Sequence, residues 1–237
     1  CQRFAAGNAT PFAQSEFIFA LCAVLFMTAL SLVARMDMLF TFLIALSYVQ
    51  LMERVRLVLT AAENKVVTRW DLALPLTIFA ALFVKGPYAL IFPLVALLFF
   101  LLFVRKLHFY FKIFRPQYFL IILGCVLIWG LCVYLDGGRA YLTELFIGQS
   151  AKRLSGSTGH PQPLYWYFTN VWYLVAPLAL PALYLVVREI RQGTLTQDKV
   201  GLASLCFFLA TVTVISLPSS KLEIYLLPGL PFLAIYV

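Results

Sequence analysis

Apolar residues gather along this chain into long runs without two-residue alternation, and polar residues fall mostly in the gaps between them. The runs lie at about 17–34, 38–52, 72–84, 88–104, 118–135, 165–187 and 200–217, and an eighth, 225–237, reaches the last residue. Such runs predict helices and exclude the alternating strands of a β-barrel. Several are shorter than the ~20 residues of a bilayer crossing, so they are expected to extend into the interface or thin the bilayer locally. The expected fold is all-α, a polytopic transmembrane helical bundle, over residues 1–237 as a single transmembrane domain.

Composition turns this pattern into a membrane protein. With 63% hydrophobic and 12% charged residues and a mean hydropathy of +0.93, the chain is too apolar for an ordinary soluble domain. The net charge of +8 does not mark nucleic acid as a partner, because the cations sit at the ends of apolar runs and form no stripe. They read as orientation signals instead. Placing the N-terminal segment and the gaps after the second, fourth and sixth runs on one side gives that side 12 of the 18 lysines and arginines. Arg54, Arg56, Arg105, Lys106, Lys112 and Arg115 are among them. The positive-inside rule makes that side cytoplasmic and leaves Arg35, Lys85, Arg139, Lys152, Arg153 and Lys221 on the exported side.

The chain starts without methionine and stops within an apolar run, so it is expected to be an internal part of a longer protein. The one long non-helical stretch expected between the apolar runs, 136–163, is expected to be functional or separately structured. Cys22, Cys125, Cys132 and Cys206 lie within apolar runs without a C-x-x-C motif, and read as buried small hydrophobes.

The expected exported side collects the chemistry-bearing residues. "ARMDML" sets Arg35 and Asp37 in one tight connection, either as a self-neutralising turn or with Asp37 as a general base or metal ligand. In "FVKGPYALIFPL", Gly86 allows a sharp turn and Pro87 suits the start of a helix whose free N–H groups would face the surface beside Lys85. That arrangement suits an anion, and the alternative is a snorkelling lysine at the membrane edge. "AYLTELFIGQSAKRL" alternates at helical spacing and reads as an amphipathic interfacial helix carrying Glu144, Gln149, Lys152 and Arg153. After it come His160, as a turn residue or a metal ligand, and an anchoring belt of Tyr165, Trp166 and Tyr167. "LPSSKLEIYLLPGLP" adds Lys221, Glu223 and Tyr225. Arg35, Lys85, Arg153 and Lys221 would together suit a lipid-linked phosphate.

In order and spacing, "ARMDML", "KGP", "GQSAKRL", "GHPQPLYWYF" and "SSKLEIYLLP" resemble the GT-C type membrane glycosyltransferases. The similarity is to the bacterial branch that includes the aminoarabinose transferase of lipid A and is related to the protein O-mannosyltransferases. It implies transfer of a sugar from a polyprenyl-phosphate donor to a lipid A, other lipid, glycan or protein acceptor at the exported face of the bacterial inner membrane. By position it implies Asp37 as catalytic, and Lys85, Arg153, Lys221 and Tyr225 as contacts to the donor phosphate. Arg35, Gln149, His160 and Glu223 would support them. No organic cofactor is implied, and a divalent metal is left open. Two departures stand out: the family's other exported acidic residue would lie upstream of Cys1, and Ser150 occupies a position where the aminoarabinose branch tends to carry histidine.

The chemistry agrees with the residue types. A polyprenyl phosphodiester gains negative charge as the sugar leaves, and fixed cations stabilise that change. The rival from another class is a transporter or flippase of a lipid-linked intermediate, which would place ionisable residues near the bilayer midplane; a non-catalytic membrane subunit is a further alternative.

Overall fold

The computed structural model of the protein describes residues 36–59, 70–144, 162–176, 178–218 and 221–237. Among these residues the structure is helical, without strands. The helices are α1 (Met36–Leu59), α2 (Trp70–Lys85), α3 (Tyr88–Phe103), the short α4 (Tyr110–Ile113), α5 (Pro116–Thr143), α6 (Trp166–Leu174), α7 (Ala179–Gln192), α8 (Lys199–Ser216) and α9 (Leu230–Tyr236). A 3₁₀ segment, Leu107–Phe109, precedes α4, and another, Glu223–Gly229, leads into α9.

Three described helices have the length and apolarity to cross a membrane: α1, α5 over Pro116–Arg139, and α8. The pair α6 and α7 passes that test jointly, but its members are bent by 110°. The expectation of one apolar helix over 165–187 is therefore corrected. The sequence offers a cause in Pro177, which has no N–H to donate to a continuing helix. At 16 residues, α2 and α3 are as short as their apolar runs implied.

Helices α1 and α2 run in opposite directions. Asp37 at the start of α1 meets Lys85 at the end of α2, and Arg54 near the end of α1 meets Asp71 at the start of α2. Helix α8 packs against α3 and α9 and is buried along nearly its whole length, with Leu202, Ala203, Cys206 and Phe207 in the core. In contrast, α5 packs on α2 and leaves Leu120, Leu127, Ile128 and Leu135 exposed. A helix that is apolar even where nothing covers it suits contact with lipid tails.

Inside the bundle, hydroxyls satisfy themselves on their own helix or bridge to the next. Ser204, Thr211 and Ser216 donate to the carbonyls of Val200, Phe207 and Val212, each four residues earlier. Tyr48 of α1 shares a hydrogen bond of 2.8 Å with Ser204, and Gln50 Nε2 donates to Thr77 Oγ1 of α2 at 3.0 Å. Such polar pairs between apolar helices fix their register.

Two expectations need revision beyond the bend. Within 136–163, helix α5 runs past Asp136 to Thr143, with one non-helical residue, Gly138, at φ 69° and ψ −176°. Glycine tolerates that conformation, so the helical direction changes there without a side-chain clash. Of the cysteines read as buried, Cys206 is buried, Cys125 is half-buried and Cys132 is exposed on the lipid-suited face of α5.

At the end of the bundle opposite Lys85, Asp71 accepts the O–H of Tyr118 at 2.7 Å. It also lies 3.2 Å from the Arg54 guanidinium and 3.7 Å from that of Arg115. Arg54 is 1% exposed and reaches the Lys112 carbonyl at 3.4 Å. Asp71→Ala is expected to destabilise the protein by about 3 kcal/mol, because it removes a carboxylate that the buried Arg54 faces. Denaturation of the purified protein in detergent checks this, with half-buried Glu53→Ala, at a surface ion pair, expected to change little.

Candidate functional site

The candidate site lies where α1 begins and α2 ends. Asp37 occupies the first turn of α1 and Lys85 the last turn of α2, so each charge complements the dipole of its own helix. After Lys85 the chain reverses at Gly86, whose φ of 75° is the left-handed conformation glycine accommodates. Gly86 N–H closes α2 onto Leu82 O at 2.7 Å. Pro87 follows in helical conformation and starts α3, whose first-turn amides bond back to the Gly86 and Pro87 carbonyls. The turn expected from "KGP" is the turn observed.

The side chains converge in a way their sequence positions do not reveal. The Lys85 ammonium forms an ion pair with Asp37 Oδ1, and both side chains are largely buried, 19% and 16% exposed. The same ammonium lies 4.7 Å from the centre of the Tyr225 ring and 5.5 Å from that of Phe40. Lys85 thus sits between one carboxylate and two aromatic faces, each attractive to a cation. Phe40 in turn packs on Phe92 of α3, and Phe92 on Tyr88, which backs the site with aromatic rings.

The segment carrying Tyr225 is held by backbone bonds. Lys221 is 3% exposed, and its ammonium donates to the carbonyls of Pro218 at 2.6 Å and Gln162 at 3.3 Å. Burial pushes its pKa below the usual lysine value. Tyr167 is wholly buried; its O–H donates to Leu222 O at 2.7 Å and its oxygen accepts Leu222 N–H at 3.2 Å. Its placement in an anchoring belt is therefore corrected: Tyr165 is exposed, but Tyr167 clamps the Tyr225 segment from inside. Tyr173 O–H donates to Glu223 Oε1 at 3.2 Å, tying the same segment to α6.

Of the residues singled out in the sequence, the structure brings Asp37 and Tyr225 into contact with Lys85, and sets Lys221 and Glu223 on the segment leading to Tyr225. Arg35, Gln149, Arg153 and His160 lie outside the described residues. Among the described residues no group of three His, Cys, Asp or Glu side chains is placed to hold a metal ion. Sequence reasoning counted Lys85 as a cation for phosphate and missed that Asp37 neutralises it. It also missed the structural tasks of Tyr167 and Lys221. The available signal was topological: residues flanking two antiparallel helices at the same end must meet.

Chemically, the arrangement combines a carboxylate able to accept a proton, an ammonium able to follow a developing negative charge, and a phenol beside them. A double-mutant cycle with Asp37→Asn and Lys85→Met should give a coupling energy of about 1–3 kcal/mol in unfolding measurements. Additive single effects would show that the pair contributes nothing as a pair.

Comparison of the chain with protein-family models, with curated proteins and with solved structures finds no match to any of them.

Proposed function

We propose that the protein is a polyprenyl-phosphate-dependent glycosyltransferase of the GT-C type. In this reading it transfers a sugar, at the exported face of the bacterial inner membrane, to a lipid A, other lipid, glycan or protein acceptor. The observation that carries the proposal is the meeting of Asp37, Lys85 and Tyr225 at one end of an apolar bundle, from positions 48 and 140 residues apart along the chain. These residues belong to three separate motifs of the family resemblance, "ARMDML", "KGP" and "SSKLEIYLLP". The charge distribution supports the orientation, because Arg54, Arg105, Lys106, Lys112 and Arg115 gather at the opposite end. Helical residues beyond Gly138 support the start of an interfacial helix over 140–154.

In the reaction, a hydroxyl oxygen of the acceptor attacks the anomeric carbon of the sugar, and the bond from that carbon to the phosphate oxygen breaks. The bonding pair stays on the phosphate, which goes from one negative charge towards two. Lys85 stabilises that added charge, and Asp37 takes the hydroxyl proton. An acceptor that is already an ionised lipid phosphate needs no proton removal, and Asp37 then serves to orient Lys85. Tyr225 holds the ammonium in place through its ring face. Among the described residues, polar side chains inside the bundle pair across helices, as with Gln50 Nε2 and Thr77 or Tyr48 and Ser204, which favours chemistry at one surface over a conduction path.

The test is product formation in detergent solution, where no compartments exist and a flippase has nothing to accomplish. Full-length protein is incubated with polyprenyl-phosphate sugars and lipid or protein acceptors, and glycosylated acceptor is measured by mass spectrometry. With a hydroxyl acceptor, Asp37→Asn is expected to lower turnover by about 10²–10⁴. Lys85→Ala is expected to lower it by about 10²–10³ with any acceptor. Each variant must retain a folded, monodisperse state. Undiminished turnover in both variants removes the site assignment, and no product from any donor removes the transferase reading.

A further inference from the structure

We propose that the segment between α3 and α5, residues 104–115, is a binding site for the headgroup of an anionic phospholipid, at the end of the bundle opposite Asp37. The sequence there, "VRKLHFYFKIFR", interleaves Arg105, Lys106, Lys112 and Arg115 with aromatic and apolar residues, and no Asp or Glu occurs between Asp71 and Asp136. The fold concentrates these cations. Lys106 Nζ lies 6.0 Å and Lys112 Nζ 5.5 Å from the centre of the same Phe109 ring, so two ammonium groups lie against one aromatic ring. His108 packs against that ring as well, at 4.1 Å between ring centres.

The carboxylates described at this end are engaged elsewhere. Asp71 is held by Arg54, Arg115 and Tyr118, and Glu53 pairs with Arg56. Asp198 caps the first turn of α8, and Glu189 accepts the O–H of Tyr236. Among the described residues no carboxylate is paired with Lys106 or Lys112, and their charge suits an external anion.

Arg105 supplies an independent sign. Helix α3 ends with Lys106 N–H bonded to Leu101 O at 2.9 Å and Arg105 N–H bonded to Leu102 O at 3.1 Å, the closure that places a left-handed residue just past the helix. Glycine is the residue suited to that position, yet it is Arg105, at φ 54°, the one described non-glycine residue with positive φ. An exposed cation is kept where the backbone favours no side chain at all.

The ligand is a lipid because apolar groups flank the cations. Leu107 and Phe111 are 45% and 69% exposed, while Ile113 and Phe114 are fully buried and fix the segment to the bundle. Tyr110 O–H donates to Leu94 O at 3.2 Å and folds the segment back along α3. Cations beside exposed apolar side chains, between the apolar helices α3 and α5, match a phosphate headgroup with its acyl chains alongside. This site is independent of the chemistry proposed at Asp37.

Native mass spectrometry of the full chain in detergent, with phosphatidylglycerol and phosphatidylcholine added as probes, tests the proposal. Wild type is expected to retain phosphatidylglycerol preferentially, and Lys106→Gln with Lys112→Gln to weaken that retention by roughly tenfold. Arg105→Gly should weaken it too while raising the thermal midpoint, so that its loss of lipid is separated from unfolding. Excess inorganic phosphate should not strip the lipid. The proposal is overturned by equal retention of the two lipids by wild type, by undiminished retention in the double variant, or by stripping with phosphate, which would leave only a site for a free anion.

Discussion

The structure depends on charge pairing between α1 and α2, two antiparallel helices held at both ends by ion pairs of reversed polarity. At one end the acid is on α1 and the base on α2, Asp37 with Lys85; at the other the base is on α1 and the acid on α2, Arg54 with Asp71. Both acids sit in the first turn of their helix and Lys85 in a last turn, where the helix dipoles favour them. Sliding α1 along α2 would separate both pairs at once and leave charges in a low-dielectric surrounding, where each is costly. An apolar face alone sets no such register, because Leu, Phe and Val side chains meet equally well in many alignments. The two pairs, with Gln50 and Thr77 between them, supply the specificity that hydrophobic contact lacks.

The two ends then take different forms. At the Arg54 end the acid is enclosed by two arginines and a tyrosine and contributes to stability. At the Lys85 end the pair is smaller and backed by rings, and the 3₁₀ segment Glu223–Gly229 covers it from one side through Tyr225. That segment is carried on bonds from Lys221, Tyr167 and Tyr173. A short 3₁₀ stretch has poor hydrogen bonding of its own and needs such external supports to hold one shape. The same logic reaches the other face, where Ile113 and Phe114 pin the basic segment 104–115 so that its cations stand in a fixed arrangement.

What was legible in the sequence was what period and composition govern. Runs of apolar residues gave the helices near their observed positions, and "KGP" gave the turn, because Gly86 and Pro87 restrict the backbone whatever surrounds them. The pairings were not legible, since Lys85 and Asp37 are 48 residues apart and Tyr167 and Leu222 are 55 apart. Asp71 attracted no notice because an acid in a first helical turn is ordinary; only the antiparallel placement of Arg54 gives it a second meaning. The run 165–187 was misread as one helix because its hydropathy continues across Pro177, and hydropathy reports burial in lipid, not backbone continuity. Tyr167 was assigned to an interface from its neighbours Tyr165 and Trp166, although on a helix adjacent residues point in different directions.

The neutralised lysine changes how the proposed reaction has to work. A bare ammonium would bind the donor phosphate tightly before any bond broke, and ground-state binding of that kind does not speed the chemical step. Paired with Asp37, Lys85 offers an incoming phosphodiester only part of its charge. In the proposed reaction, as the sugar leaves and the phosphate gains a second negative charge, the ammonium would be drawn towards it and away from the carboxylate. Asp37, released from the ammonium, would then be free to take the proton of the acceptor hydroxyl. One ion pair would then couple departure of the phosphate to activation of the acceptor, with the Tyr225 and Phe40 rings keeping the ammonium within reach of both partners. The coupling needs the two charges on separate helices held in fixed register, which is what the Arg54 and Asp71 pair at the far end of α1 and α2 provides.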